Sequence, residues 1–372
     1  MNRLADGDAR CGMLGLAGRF LVAVSLLLLL FATPALSPAR AQNATDVQGT
    51  SARSEFWEEI RQGKEGSVSI PDAKAGRLIQ SEGDVWRAWR NGPVSTYGAQ
   101  GLVAVVLVLA AFFLIRGRLR IAGGWSGWTI LRFNSLERTA HWLLAGSFIV
   151  LGLTGLNVLY GRYAILPLIG ANAFSTITIW GKLLHNYVAF AFIAGLILTL
   201  VLWVRDNVPR RIDATWFAKG GGLIGSAHPA AGKFNGGQKM LFWLVIFFGG
   251  SVALTGLSLI FPFQIPLFAK TFALLSAVGF NLPENLTSIQ EMQLAQLWHN
   301  IVSLVLLAVI IAHIYIGSLG MQGAFDAMGT GRVDLNWARE HHSLWVAELE
   351  QNGTLDKEPA QQPAKGQTQA AE

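Results

Sequence analysis

Cysteine is almost absent from this sequence, with Cys11 the single cysteine in 372 residues. One cysteine excludes an intramolecular disulfide, a cysteine-ligated iron–sulfur cluster, a four-cysteine zinc site and a CxxCH haem attachment. Any metal bound by this chain therefore has to be held by histidine or by oxygen ligands.

Charged residues are scarce as well. They form 14% of the sequence, against 52% hydrophobic residues, and the chain has 13 tryptophans and 21 phenylalanines. This composition is typical of a multi-span membrane protein rather than of a soluble domain. The formal net charge is +6, but its distribution is more informative, because Lys and Arg in short loops set the orientation of the spans.

The N-terminal part is predicted to be exported. Residues 1–41 have a basic start, an apolar core at 20–32 and a small-residue pattern at 39–41, which together predict a cleaved signal peptide. A retained anchor is the alternative, although an apolar core of 13 residues is short for a span. Residues 42–97 are polar and too few to bury a core. We expect a periplasmic arm that contacts a partner, or else a solvated linker.

Five apolar segments follow and predict an all-α membrane protein. Lys and Arg are dense in the loops that join the first to the second span and the third to the fourth, which places these loops in the cytoplasm. The polar segment 321–372 is then a cytoplasmic tail, and the protein is expected in the bacterial inner membrane. An extra transmembrane helix at 98–116 precedes a four-helix core at 130–320, with spans at 140–161, 176–204, 240–263 and 298–315.

The last span carries two histidines, His299 and His313, and no Asp, Glu, Lys or Arg. Fourteen residues are nearly four helical turns, so both imidazoles leave the same face, about 21 Å apart along the axis. An ionisable residue inside a span is a candidate functional residue. Two at opposite depths indicate ligands of two metal centres, whereas a single one is equally well interpreted as an interhelical hydrogen-bond partner.

Two further histidines match these depths. His141 follows the arginines of a cytoplasmic loop by three residues, and His185 lies twenty residues before the next cytoplasmic arginine, about 30 Å along a helix. Depth therefore pairs His185 with His299 on the outer side (the outer pair) and His141 with His313 on the cytoplasmic side (the inner pair).

The surroundings of these pairs indicate which metal they hold. The spans offer no nearby carboxylate or thiolate, which disfavours zinc and di-iron carboxylate sites. Two imidazoles from different helices suit the axial positions of a haem, which without a CxxCH motif would be a non-covalent haem b. Two axial histidines leave the iron no open position, so two such haems would conduct electrons across the bilayer without binding a substrate.

The loop before the fourth span, 233–239, has the sequence KFNGGQK and lies at the depth of His313. Glycines expose backbone N–H groups, and Asn235 and Gln238 add side-chain donors and acceptors. This surface could bind the carbonyl groups of a quinone. A glycine-rich turn with a helix cap is an equally good interpretation of the same residues.

Two remaining patterns have structural interpretations. The tetrapeptide Leu-Thr-Gly-Leu occurs at 153–156 in the second span and again at 254–257 in the fourth. Small residues let helices, or a flat cofactor, approach closely, and helix packing alone explains the repeat equally well. His341 and His342 in the tail are expected to be solvated.

Several motifs together resemble one known family. The WHN…H spacing of the last span, the Arg132-Phe133 dipeptide, the segment ERTAHW at 137–142 and the FNGGQK turn are similar to the gamma subunit of membrane-bound formate dehydrogenase, a cytochrome b of the respiratory formate:quinone oxidoreductase. The resemblance covers about residues 130–345. It implies a four-helix core with two b haems, ligated by His185 with His299 and by His141 with His313.

The resemblance also implies a reaction and partners. The family's quinone pocket lies beside the inner haem, which implies binding of menaquinone or ubiquinone by Asn235, Gly237 and His313, with Gln238 of the same turn. A molybdenum- or tungsten-containing alpha subunit would oxidise formate, and an iron–sulfur beta subunit would pass electrons to the outer haem. This chain would then reduce quinone near the cytoplasmic face and would contain no formate-oxidising site.

Two alternatives remain open. Related b cytochromes serve nickel–iron hydrogenases and other periplasmic reductases, so the electron donor is not fixed by these motifs. A haem-free membrane anchor or transporter is a different class of protein. It has little support, because the spans contain no substrate-binding carboxylate and no pair of broken helices.

Overall fold

The computed structural model describes residues 83–222 and 229–360. The predicted signal peptide, Cys11 and the first part of the predicted arm lie outside these described residues. The described chain is mostly helical. Its helices are α1 Gly83–Trp89, α2 Ser95–Arg116, α3 Ser135–Ala164, α4 Leu166–Trp203, α5 Arg211–Ala218, α6 Gly236–Ile260, α7 Leu267–Ala277, α8 Ser288–Tyr315, α9 Asp326–Gly329, α10 Leu335–His341 and α11 Ser343–Gln351, and its strands are β1 Trp128–Leu131, β2 Arg332–Asp334 and β3 Lys357–Pro359.

Within the described residues, five helical stretches are long and apolar enough to cross a membrane: Gly83–Arg116, Ser135–Ala164, Leu166–Trp203, Gly236–Ile260 and Ser288–Gly320. They coincide with the five predicted spans and confirm an all-α, multi-pass architecture with one extra helix before a four-helix core. α3 and α8 begin before the predicted spans, because hydropathy marks only the apolar section of a helix and their first turns are polar. α6 begins four residues before the predicted span and ends three residues before its predicted end. The first stretch includes residues 83–97, which the sequence places at the end of the arm.

Reciprocal side-chain caps fix where the core helices begin. At the start of α3, Asn134 Oδ1 accepts from the Glu137 N–H at 3.0 Å, and Glu137 Oε2 accepts from the Asn134 N–H at 2.9 Å. Asn235 and Gln238 form the same arrangement at the start of α6, and a third capping box begins α8. Each box satisfies two N–H groups at a point where the helix itself offers no acceptor. The polar residues that end each loop thus also set the first residue of the span.

Glycines allow the helices to approach closely. α3 and α4 pack against each other, and a Cβ added to Gly195 of α4 would lie 2.9 Å from the backbone N and Cα of Leu144. A Cβ on Gly98 of α2 would overlap a leucine side chain of α8. Tyr160 Oη of α3 donates to the Ser95 carbonyl of α2 at 2.8 Å. The extra first helix is therefore joined to the core at its N-terminal end.

On the outer side, Glu291 of α8 caps the short helix α7. Its carboxylate accepts from the backbone N–H groups of Phe268 at 2.9 Å and Ala269 at 2.5 Å. A carboxylate at a helix N-terminus satisfies unpaired N–H groups and complements the helix dipole. This contact fixes α7 against α8 about two turns before His299.

The C-terminal residues fold back against the inner side of the bundle. β1 lies between β2 and β3 in an antiparallel sheet, with Ile130 opposite Val333 on one side and Lys357 on the other. Ile130 and Val333 are fully buried in an apolar core that includes Trp337 and Trp345. We call the sheet together with α10 and α11 the C-terminal cap. The segment predicted as a cytoplasmic tail thus contains a folded section with its own buried side chains.

The expectation that both tail histidines are solvated is wrong for His342. Its side chain is completely buried, its Nδ1 lies 2.7 Å from the Gly232 carbonyl oxygen, and its ring packs on the indole of Trp337. Burial lowers the pKa of His342 well below its usual range, and the cation of Arg132 acts in the same direction. This buried position depends on packing against the Gly232 loop and Trp337, which the local sequence does not show.

Candidate functional site

The core helices bring the four predicted histidines into two pairs. His185 of α4 and His299 of α8 have ring centroids 6.3 Å apart, with an angle of 63° between the ring planes. His141 of α3 and His313 of α8 have centroids 6.4 Å apart at 66°. These are the outer and inner pairs that depth along the sequence predicts.

The separation within each pair fits one metal atom between two facing ring nitrogens. A metal–imidazole bond is about 2 Å long and a ring nitrogen lies about 1 Å from its ring centre, which places the two centroids about 6 Å apart. A direct hydrogen bond between the two rings would bring the centroids to about 5 Å. The observed 6.3 and 6.4 Å therefore favour a shared metal over a histidine–histidine hydrogen bond.

Two threonines contact the outer pair. Thr154 Oγ1 of α3 lies 2.8 Å from His185 Nδ1, and Thr255 Oγ1 of α6 lies 3.1 Å from His299 Nδ1. With Nδ1 engaged, Nε2 is the nitrogen left to face a metal. Sequence reasoning did not identify these threonines as site residues. The repeated Leu-Thr-Gly-Leu tetrapeptide was the signal that could have found them.

The glycines of the same tetrapeptides lie against the histidine rings. A Cβ added to Gly155 would lie 3.6 Å from His185 Cε1, and one added to Gly256 would lie 3.4 Å from His299 Cε1. These are van der Waals distances, so an alanine would touch the imidazole and a longer side chain would press on it. The glycines therefore let each outer ring lie close to the neighbouring helix.

The inner pair has a different environment. The indole of Trp142 packs edge-on against His141, with ring centroids 5.1 Å apart. His141 Nδ1 is buried and has no hydrogen-bond partner among the described residues. A buried polar nitrogen without a partner is costly. Within the described chain, His141 Nδ1 thus lacks a hydrogen bond of the kind that Nδ1 of both outer histidines makes.

The predicted quinone-binding turn forms the capped start of α6. Asn235 Oδ1 accepts from the Gln238 N–H at 3.0 Å, and Gln238 Oε1 accepts from the Asn235 N–H at 3.1 Å and from Arg132 Nη2 at 3.2 Å. The helix-cap interpretation is therefore correct for the two side-chain oxygens. The amide nitrogens of both side chains donate to no described residue, and both side chains are only half-buried.

Gly237 lies in the first turn of α6, where helical N–H groups lack intrahelical acceptors. A Cβ on Gly237 would approach the indole of Trp216 to 2.9 Å. The tryptophan of α5 thus covers one side of this turn, and a side chain at Gly237 would displace it.

An acidic residue on the inner side organises the same region. Glu137 Oε1 accepts from Lys233 Nζ at 2.7 Å and from Trp203 Nε1 at 3.0 Å. Lys233 also lies 3.6 Å from a carboxylate oxygen of Asp206. These contacts join the start of α3 to the end of α4 and to the loop before α6. The loop that precedes the candidate quinone site is therefore joined to the start of α3 and to the segment that follows α4.

Comparison with known proteins gives a consistent result. The model of the prokaryotic cytochrome b561 family matches residues 132–331, which contain all four histidines. The cytochrome b556(Fdn) subunit of nitrate-inducible formate dehydrogenase from Escherichia coli K12 is 26% identical over 224 residues, which are 59% of this chain and 92% of that protein. The cytochrome b556(fdo) subunit of formate dehydrogenase from the same strain is 26% identical over 223 residues, 59% of this chain and 93% of that one. The formate dehydrogenase cytochrome b556 subunit of Haemophilus influenzae is 28% identical over 225 residues, 59% and 83% of the two chains.

The family match covers more than half of the sequence, and the chain therefore belongs to the prokaryotic cytochrome b561 family. It is a multi-pass membrane cytochrome that binds haem b. The resemblance to formate dehydrogenase cytochrome b subunits is confirmed at modest identity.

Proposed function

We propose that this chain is the membrane electron-transfer subunit of a formate dehydrogenase and that it carries electrons through two b haems to quinone near the inner face. The observation that supports this most directly is the stacking of two histidine pairs along α8, each spaced to accept one iron atom. Fourteen helical residues separate His299 from His313, about 21 Å along the axis. In a membrane spanned by α8, the two pairs would lie in opposite halves of the bilayer.

Histidine ligation decides what each centre can do. His185 and His299 would hold the outer haem, and His141 and His313 the inner one. A bound haem would supply one-electron chemistry, and an iron held by both histidines of a pair would have no position left for a substrate. The helices contribute ligand identity, hydrogen bonds to the ligands and a low local dielectric.

The quinone would bind at the inner start of α6. The oxygens of Asn235 and Gln238 are used in the helix cap, which leaves their amide nitrogens to donate to a quinone carbonyl. The N–H of Gly237 in the first helical turn is a further donor, and His313 belongs to the same inner level. These donors would stabilise charge on the quinone oxygens, which take up protons from the cytoplasmic side.

The electron donor would be the iron–sulfur beta subunit of a periplasmic formate dehydrogenase, whose alpha subunit carries molybdenum or tungsten. The names of the relatives support this assignment, and the distribution of Lys and Arg supports the orientation in the inner membrane. Electrons entering on the outer side and protons taken up on the inner side would build a transmembrane potential.

The first test is a dithionite-reduced minus oxidised spectrum with pyridine haemochrome quantification on the purified full chain. We expect two b haems per chain and co-purification of formate dehydrogenase alpha and beta subunits. One haem or none in the assembled protein would overturn the two-centre proposal. Co-purification of a nickel–iron hydrogenase large subunit would replace formate dehydrogenase as the donor and leave the haem assignment intact.

Asn235→Ser tests the quinone site. Serine caps a helix about as well as asparagine does, so α6 keeps its start while the amide donor is lost. We expect weaker binding of quinone-site inhibitors and lower quinone reduction, with haem content unchanged. Asn134→Ser makes the same exchange in the capping box of α3 and is the control. Wild-type inhibitor affinity in Asn235→Ser would contradict the proposed contact.

A further inference from the structure

The outer and inner pairs differ in what contacts the Nδ1 atoms of their histidines. In the outer pair, Thr154 Oγ1 lies 2.8 Å from His185 Nδ1 and Thr255 Oγ1 lies 3.1 Å from His299 Nδ1. In the inner pair, His141 Nδ1 is buried without a partner in the described part of the chain. The two centres therefore have unequal hydrogen bonding to their histidines.

The direction of the threonine hydrogen bonds follows from their backbone contacts. Each hydroxyl has one hydrogen, and that hydrogen points to the carbonyl four residues earlier: Thr154 donates to Val150 O at 2.7 Å, and Thr255 to Ser251 O at 2.9 Å. The hydroxyl oxygen can then only accept a hydrogen bond from the histidine Nδ1–H. This hydrogen-bond network assigns the Nδ1–H tautomer to both outer imidazoles, with the lone pair on Nε2.

We propose that Thr154 and Thr255 are positioning residues that set the tautomer and the ligand strength of the outer pair. This inference rests on the proposed ligation of iron by His185 and His299. In a metal-bound imidazole, the ring nitrogen that does not bind the metal can donate a hydrogen bond, and this bond raises the basicity of the ligand. A more basic ligand stabilises the oxidised iron and lowers the reduction potential of the iron. A haem held by the outer pair would thus have its potential lowered by hydrogen bonds of a kind that His141 Nδ1 lacks among the described residues. This difference would favour electron transfer from the outer haem to the inner one.

This assignment also explains the tetrapeptide repeat. In each copy the threonine contacts Nδ1 of an outer histidine, and the following glycine lies next to the same ring. A Cβ added to the glycine would lie 3.6 Å from the ring at Gly155 and 3.4 Å from the ring at Gly256. Two different helices thus present the same pair of residues to two different histidines. The sequence repeat corresponds to a local symmetry of the outer centre.

The test is a potentiometric titration of both haems in the purified full chain. Thr154→Val, Thr255→Val and the double variant keep the side-chain shape and remove the hydroxyl. We expect the potential of the outer haem to rise in each variant, most in the double variant, with the inner haem unchanged. Thr154→Ser and Thr255→Ser keep the hydroxyl and should titrate like the wild type.

Thr176→Val is the matched control, because its hydroxyl also donates to a carbonyl four residues earlier, that of Asn172 at 3.0 Å, and it has no hydrogen bond to a histidine among the residues that the structure describes. Loss of the outer haem in the valine variants but not in the serine variants would also support the positioning role. An unshifted outer potential in the double variant, an equal shift of both haems, or serine variants that behave like valine would overturn it. A wild-type chain without haem would instead overturn the proposed function.

Discussion

Arg132 Nη2 donates to Gln238 Oε1 at 3.2 Å and so joins the segment before α3 to the first turn of α6. The same nitrogen donates to the Lys233 carbonyl at 2.8 Å, and the guanidinium carbon lies 5.1 Å from the centre of the Phe133 ring. Burial lowers the pKa of Arg132 to about 9, against the opposing field of Glu137. A buried cation thus holds the turn proposed to bind quinone.

Arg132→Met should weaken quinone binding without loss of haem. The substitution removes both hydrogen bonds to the turn, and hydrogen bonds to charged groups are worth about 1.5–3 kcal/mol each. We expect KM for a soluble quinone analogue to rise about tenfold, equivalent to about 1.4 kcal/mol. Arg339→Met removes an exposed ion pair to Glu350 and should change neither KM nor haem content. A wild-type KM in Arg132→Met would contradict this positioning role.

His299→Ala should remove one haem from the chain. In the proposed pairing, His299→Ala would leave the outer haem with His185 as its single protein ligand, so the absorbance of the outer haem should disappear and that of the inner haem should remain. Pyridine haemochrome quantification is expected to fall from two haems to one, and quinone reduction by the outer donor should stop. His341→Ala, in the C-terminal cap, serves as the control. Retention of both haems in His299→Ala would refute the pairing of His185 with His299.

Gly195→Ala should separate α3 from α4, because its Cβ would lie 2.9 Å from backbone atoms of Leu144. Overpacking of this kind typically costs about 1–3 kcal/mol, seen as a lower melting temperature in detergent. Gly146→Ala is the matched control: it lies on α3 with no atom within 4 Å of the added Cβ. Alanine in a helix is favoured over glycine by about 0.5–1 kcal/mol. Equal melting temperatures for the two variants would show that the close approach is not needed.

Stability should decrease in acid through His342. Its pKa is lowered by burial, from an ordinary value of 6.5, so the unfolded chain binds a proton that the folded chain does not. The free energy of unfolding therefore falls as pH drops below 6.5, by up to about 1.4 kcal/mol per pH unit for a single group. His342→Gln should flatten the dependence measured by thermal unfolding between about pH 7.5 and about pH 5, whereas His341→Gln should retain it. Parallel curves for wild type and His342→Gln would exclude this histidine as the cause.

The span pattern and the histidine pairs could be predicted because both depend on one-dimensional properties. Membrane spans follow from the length of apolar segments, and a helix converts sequence distance into depth at a fixed rise per residue. His185 and His299 therefore had to meet at one level and His141 and His313 at another, once the orientation was known. In the structure the ring centroids are 6.3 Å apart in the outer pair and 6.4 Å apart in the inner pair.

The surroundings of the histidines depend on which helix faces are in contact, and no local pattern encodes those contacts. Thr154 is 31 residues from His185 and Thr255 is 44 residues from His299, so their hydrogen bonds exist only after packing. The tetrapeptide repeat marked these positions but left helix packing as an equal explanation. The same holds for Arg132, which reaches Gln238 across 106 residues.

The sequence by itself determined the class of protein, the number of spans, the two depths and the histidine pairs, because hydrophobicity and helical rise act along the chain. Only the tertiary structure decided that the tail folds into a cap with His342 buried, that Asn235 and Gln238 use their oxygens to begin α6, and that Thr154 and Thr255 contact the outer histidines. Each of these depends on contacts between segments distant in sequence, where the partner atom, rather than the residue type, sets the role of the side chain.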